Sequence, residues 1–299
     1  MRWVRNELIK RVVLIIAALL IGLFGEGSVA WATTYYSVNS GDWTNNTCWS
    51  LTSGGVAVGA GVYPGAGDDV VLEGGKTITV SSSGACAGVS FTGGKSQNTT
   101  LLIGAGGSLV VSGTITIPRA GVSTSTNYHN TIDVGAGTLQ AGAIAFTDGG
   151  SDNRHQMLIS TGTVTVTGDI TTANQGASAT IAFSGTGTLN VGGALLTQTI
   201  TGTQTGGALV AGAGTVNYTG GSQTIHAFSY NNLTLSGSGT KALSTSMNSI
   251  TGCLVLAGTV SVSTAVGLSI GGDFRIGDGV NSVAFSVMNH DLSVGGISD

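Results

Sequence analysis

Side chains able to do chemistry are few in this chain, and most fall in two polar stretches, 119–130 and 148–156. Their spacing links them: His129 plus 25 is Arg154, and Asn130 plus 25 is His155. Stacked at that offset, Tyr128, His129, Asp148, Asp152, Arg154 and His155 would meet on adjacent turns of chain. An imidazole beside carboxylates and a guanidinium can form a base–acid pair or a cleft that hydrogen-bonds sugar hydroxyls. These six residues are the candidate binding set, read as loops leaving the corners of the fold. The same composition also suits simple solvated insertions. No Ser/His/Asp signature, phosphate loop or Cys/His zinc spacing is present, so no catalytic residue is assigned. The stretches 148–153 and 277–281 carry hard oxygen ligands near glycines, but match neither an EF-hand nor the calcium nonapeptide. No metal or cofactor is expected.

Such a set needs elements that repeat. A Gly-Thr-apolar triplet recurs at Gly113-Thr114-Ile115, Gly137-Thr138-Leu139, Gly162-Thr163-Val164, Gly187-Thr188-Leu189 and Gly214-Thr215-Val216. Gly239-Thr240 continues the series with Lys241 where an apolar residue is due, and Gly258-Thr259-Val260 follows early. The first intervals are 24, 25, 25, 27 and 25 residues. Each triplet opens a short alternating strand, such as Thr163-Val164-Thr165-Val166-Thr167, followed by glycine turns. Self-similarity at this period signals a solenoid, whereas a propeller blade needs about 40–45 residues. The fold predicted is all-β: a parallel β-solenoid of about nine coils, stacked about 4.8 Å apart, over residues 70–299. Alternation puts Val, Leu, Ile and Phe inside and Thr, Ser and Asn outside, with glycines supplying positive-φ corners. A β-sandwich array is the alternative for the same short strands.

Composition agrees. Glycine is 51 of 299 residues and only 8% are charged, which excludes a helical bundle. A formal charge of −4 gives no pull toward nucleic acid. Residues 1–32 read as a secretory signal: Arg2, Arg5, Lys10 and Arg11 precede an apolar run at 12–24, and Ala30-Trp31-Ala32 offers a cleavage site. That run is too short to span a bilayer, and no later segment is apolar enough to do so, so no membrane span is expected in the mature chain.

Residues 33–69 depart from the repeat and hold both tryptophans of the mature chain, Trp43 and Trp49, so they read as an N-terminal cap. Three cysteines are an odd number. Cys48 and Cys86 lie close enough to the cap for a bridge between them to staple it, while Cys253 reads as a small buried hydrophobe.

The stretch Trp43…Trp49…Pro64-Gly65-Ala66-Gly67-Asp68-Asp69-Val70, followed by Gly75-Lys76-Thr77-Ile78-Thr79-Val80, resembles the opening of large secreted bacterial Gly/Thr-rich β-solenoid surface proteins, adhesin-like or autotransporter-like. It is more loosely similar to the start of G8-type extracellular domains. The stretch Gly221-Ser222-Gln223-Thr224-Ile225 with Tyr230-Asn231-Asn232-Leu233 resembles a repeat of such proteins. The resemblance implies a secreted or cell-surface structural or adhesive protein, contacting extracellular glycans, matrix or a host or neighbouring cell. Such proteins usually continue into an anchor, whereas this sequence stops within the repeat at Gly295-Gly296-Ile297-Ser298-Asp299; a covalent continuation beyond it is left open.

Two alternatives stand beside that expectation. A polysaccharide lyase or hydrolase would need charged residues at matched offsets, yet Glu73 is the single glutamate after residue 32. An ice-binding solenoid would need flat Thr-x-Thr ladders in every coil, whereas Thr77/Thr79, Thr114/Thr116 and Thr163/Thr165 recur irregularly.

Overall fold

The computed structural model describes residues 32–92, 97–120, 128–147, 155–172, 179–198 and 207–297. Thr33–Asp299 forms one compact unit. The proposed signal at 1–32 falls almost wholly outside the described residues.

Among the described residues the fold is all-β, with no α-helix, and its strands assemble into long parallel sheets. The largest sheet has fifteen strands, and a second has seven. Four- and three-stranded sheets serve the C-terminal third. Strands adjacent in a sheet are one repeat apart in sequence, as in Thr138↔Thr163↔Thr188↔Thr215. This arrangement is compatible with a β-solenoid. Its parallel register removes the sandwich alternative, whose sheets are antiparallel.

Short Val/Thr/Ile-rich runs form the strands because alternation buries one face. In Asn130–Val134, His155–Ile159 and Ala179–Phe183 every second residue is buried. Ile132, Val134, Leu139, Ile144, Met157, Ile159, Val164 and Ile181 thereby join one continuous core. Outward residues also bond across the stack. Asn190 Nδ2 donates to Thr165 Oγ1 at 3.2 Å, Asn217 Nδ2 to Asn190 Oδ1 at 3.0 Å, and Ser236 Oγ to Asn217 Oδ1 at 2.8 Å.

The glycines of the triplet divide: Gly239 and Gly258 supply the expected positive-φ corners, at +72° and +70°, but the earlier ones have a different purpose. Left-handed glycines occur elsewhere, at Gly75, Gly106, Gly212 and Gly237 among others, but not at Gly137, Gly162 or Gly187. A Cβ on Gly162 would lie 2.4 Å from the Gly137 carbonyl oxygen, and one on Gly187 would lie 2.6 Å from Ile159 Cγ2. Close approach of successive turns, not backbone handedness, demands glycine there.

The uniform 25-residue period also needs correction. It holds for Asn130↔His155, but Thr215↔Asn232 and Leu254↔Phe274 are only 17 and 20 residues apart. Gly113-Thr114-Ile115 belongs to a different column, since Thr138 pairs with Ser108 while Thr114 pairs with Ala143. Lys241 stacks on Gln223, in the four-stranded sheet.

At the N-terminus Thr34–Ser37 pairs parallel with Asp69–Leu72 and antiparallel with Trp49–Ser50, the one antiparallel pair among the described residues. Trp43 and Trp49 are buried edge to face, 5.2 Å apart. Trp49 Nε1 donates to the Trp43 carbonyl at 2.7 Å and Trp43 Nε1 to the Pro64 carbonyl at 3.3 Å. These bonds satisfy both indoles and close this end of the core.

Candidate functional site

One edge of the sheets collects four successive connections of six residues or more; others, such as 51–68 and 277–283, join different strands. The strands that end at Ile117, Phe146 and Thr172 are paired in register, and so are those that begin at Asn130, His155, Ala179 and Gly207. Between them run 12, 8 and 6 residues, and 8 more between Gln198 and Gly207. The opposite turns, such as those from Val134 to Thr138 and from Ile159 to Thr163, need only 3. Each of these four connections therefore leaves and re-enters at the same edge. The offset argument places Asn130 beside His155 correctly.

The chemistry at this edge differs from the expectation. His155 is the first residue of its strand and is fully buried, so it does not face a ligand in solvent. Its Nδ1 lies 3.1 Å from the Ile117 carbonyl oxygen, which can only accept, so Nδ1 carries the proton. Nε2 is then a bare acceptor, buried without a partner. The Phe146 ring packs 5.3 Å away. Burial pushes the His155 pKa down to about 4, and nearby Arg119 adds to the effect, so the ring is neutral at ordinary pH.

Asn130 is buried next to it. Its Nδ2 donates to the Pro118 carbonyl at 2.8 Å and to the Thr92 carbonyl at 3.3 Å, while Oδ1 has no partner. Thr99, stacked below and also buried, completes an internal polar column. The column fastens the ends of the long connections to the core.

Tyr128 and His129 are half-buried just before the strand Asn130–Val134. The His129 backbone is clamped: its N–H donates to Asn98 Oδ1 at 2.9 Å and its carbonyl accepts from Thr99 N–H at 3.0 Å. Asp148, Asp152 and Arg154 lie outside the described residues.

Cys48 and Cys86 are both buried free thiols, so the bridge entertained from sequence is not formed. Burial, reinforced by Asp69 and Asp68, pushes the Cys86 thiol up to about 12, and burial also raises that of Cys48. Both are therefore protonated and poorly nucleophilic. The turn at 277–281 is held by Asp278 itself, whose carboxylate accepts from the N–H groups of Gly258, Val280 and Asn281. The Asn281 side-chain amide, which also donates to this carboxylate at 2.9 Å, and then those backbone bonds hold its pKa well below the usual carboxylate range.

Sequence reasoning missed a second polar cluster, around Lys241. This lysine is fully buried, and its Nζ donates to the carbonyls of Gly220 and Gly221, each at 2.8 Å, and to Gln223 Oε1. Gln223 Nε2 in turn donates to the carbonyls of Val191 at 3.0 Å and Gly193 at 2.6 Å. All these acceptors are neutral, and burial lowers the lysine pKa to about 8. The signal was a lysine at the inward third position of a Gly-Thr-apolar triplet.

Among the described residues no helix is long and apolar enough to cross a membrane. No family model matches the chain, and no curated protein or solved structure matches it.

Proposed function

We propose that the chain is a secreted or cell-surface structural and adhesive protein, a closed parallel β-solenoid of about nine coils that presents a row of loops to glycans, matrix or another cell. The observation that carries this reading is the stacking of four successive connections, 118–129, 147–154, 173–178 and 199–206, at one edge, beside the buried Thr99–Asn130–His155 column. Stacking at about 4.8 Å brings loops from successive turns within reach of one extended partner. Inter-coil hydrogen bonds, backbone and side chain, supply the stiffness that display requires. Function here is binding and spacing; no catalytic step is assigned.

The test is a glycan-array and whole-cell binding assay on the secreted chain, beside a variant whose 119–128 and 148–154 connections are replaced by short glycine turns. Binding by the parent and its loss in the variant, with unchanged β-sheet circular dichroism, is the expected result. Equal binding by both, or none by the parent, refutes loop display.

A further inference from the structure

The strands Leu195–Gln198 and Gln223–Ile225 sit one turn apart but do not pair with each other. Each has a neighbour on its far side only: Ile170–Thr172 for the first and Ser238–Leu243 for the second. Just before them the two turns are in contact, since a Cβ on Gly220 would lie 1.9 Å from the Gly192 carbonyl oxygen. The chains therefore fork. Leu196, at φ +52°, turns the first strand away, and its pairing with the preceding turn shifts register there.

The fork is an open cleft of about 320 Å³. Its apex is fixed by the Gln223–Lys241 cluster described above. Glycine and alanine at 192–194 keep one wall low. Asp169 stands at that wall: Oδ1 accepts from the Ala194 N–H at 2.7 Å, and among the described residues no hydrogen bond reaches Oδ2. The opposite wall carries Ser222, Thr224 and His226, and Thr197 reaches in from the first strand. His226 is half-buried, and among the described residues no hydrogen bond reaches either ring nitrogen. Burial lowers its pKa, which leaves the ring with one donor and one acceptor.

We propose that this cleft binds a neutral, hydroxyl-rich ligand, a single saccharide residue either free or at the end of a glycan. Vicinal hydroxyls would donate to Asp169 Oδ2, and the hydroxyls and imidazole opposite would complete the hydrogen bonding. The lining favours this class over others. Asp169 is the one carboxylate among the lining residues, and the Lys241 ammonium behind the apex has all three donors engaged by the Gly220, Gly221 and Gln223 oxygens, so an anion finds no free cation here. One carboxylate with an oxygen already engaged falls short of the six or so oxygens a calcium ion takes. An added peptide strand needs a straight edge and about 4.8 Å of space on both sides. Here the edge is kinked at Leu196, and the walls meet at Gly192 and Gly220.

The inference deepens the proposed contact with glycans and rests on it for the source of the ligand, but none of the residues lining the site belongs to the 119–128 or 148–154 loops. Saturation-transfer NMR on the full secreted chain tests it, with D-glucose, D-galactose, D-mannose and N-acetylglucosamine as probes. A pentapeptide of alternating threonine and valine serves as the strand probe. At least one sugar should bind saturably below about 50 mM, a range that suits single-residue recognition. Asp169→Asn, which keeps the acceptor for Ala194, and His226→Phe should each weaken that binding about tenfold while leaving the melting temperature within a few degrees. The loop-shortened variant should bind the sugar as the parent does, so failure of loop display and failure of this site are distinguishable. The proposal is overturned if no sugar saturates, if both cleft variants bind normally, or if only the peptide binds.

Discussion

The buried histidine makes the energetics of the loop edge measurable. In the fold His155 titrates near pH 4, against about 6.5 for an unperturbed imidazole. Between those values the unfolded chain takes up a proton that the folded chain refuses. Stability therefore rises with pH across that window, is fully recovered above it, and is lost as pH falls. Linkage gives a loss of about 2 kcal/mol from pH 7 to pH 5 and about 3 kcal/mol by pH 4. Other groups titrate in the same range, so the quantity to read is the difference between the parent and His155→Leu. Leucine has similar volume, and the Ile117 carbonyl keeps its bond from the Thr147 N–H at 3.0 Å. The variant can be more or less stable at pH 7, but its stability should fall by about 2 kcal/mol less between pH 7 and pH 5. Urea unfolding at the two pH values, followed by circular dichroism and tryptophan fluorescence together, provides the numbers and checks that one transition is being measured. Equal pH dependence in parent and variant would refute the claim that this ring is buried and neutral.

Three further outcomes follow from the same structure. Gly162→Ala should cost about 2 kcal/mol or more, because its Cβ meets the Gly137 carbonyl, whereas Gly221→Ala, with nothing within 4 Å, should cost far less; urea midpoints compare them. Trp43→Ala should cost about 3–5 kcal/mol, since a fully packed indole and its bond to Pro64 are lost, and its fluorescence change should report early opening of the N-terminal end. Lys241 titrates near pH 8, below its unfolded value, so its contribution to stability should grow as pH rises from about 8 to about 10.5. Lys241→Met should flatten that rise, and an unchanged slope in chemical denaturation above pH 8 would count against the buried, unpaired ammonium.

Much of the fold was legible because one pattern sufficed for it. Alternating apolar residues at a fixed spacing specify both which face is buried and which residues stack, and Asn130 over His155 came directly from that spacing. The period misled where it was treated as a constant. Its length depends on a corner that does not belong to the strand pattern. After Tyr218 the turn between sheets at this corner shrinks, to 5 residues between Leu243 and Ser249 and 4 between Ser263 and Leu268, and the repeat shortens accordingly. The triplet marks a tight contact between turns, and such contacts occur in more than one column. Gly113 and Gly162 therefore look alike in sequence, yet stack against different neighbours.

The polar residues were harder to place, for a physical reason. In an alternating strand a histidine, asparagine or lysine reads as an outward residue, because burial of a polar group is costly unless it is bonded. A solenoid corner changes that balance. There the backbone turns and carbonyls point inward, as at Ile117, Pro118, Gly220 and Gly221, and they accept from His155, Asn130 and Lys241. The informative position was thus not the polar loop itself but the polar residue in an inward slot beside it. Asn130 and His155 open strands whose later inward positions are apolar, and Lys241 replaces the apolar third member of a triplet. Read this way, the inward polar slots mark where the turns of chain are fastened. The two clusters they define lie where the loops re-enter and where the sheets fork, the two places at which this fold departs from uniform stacking.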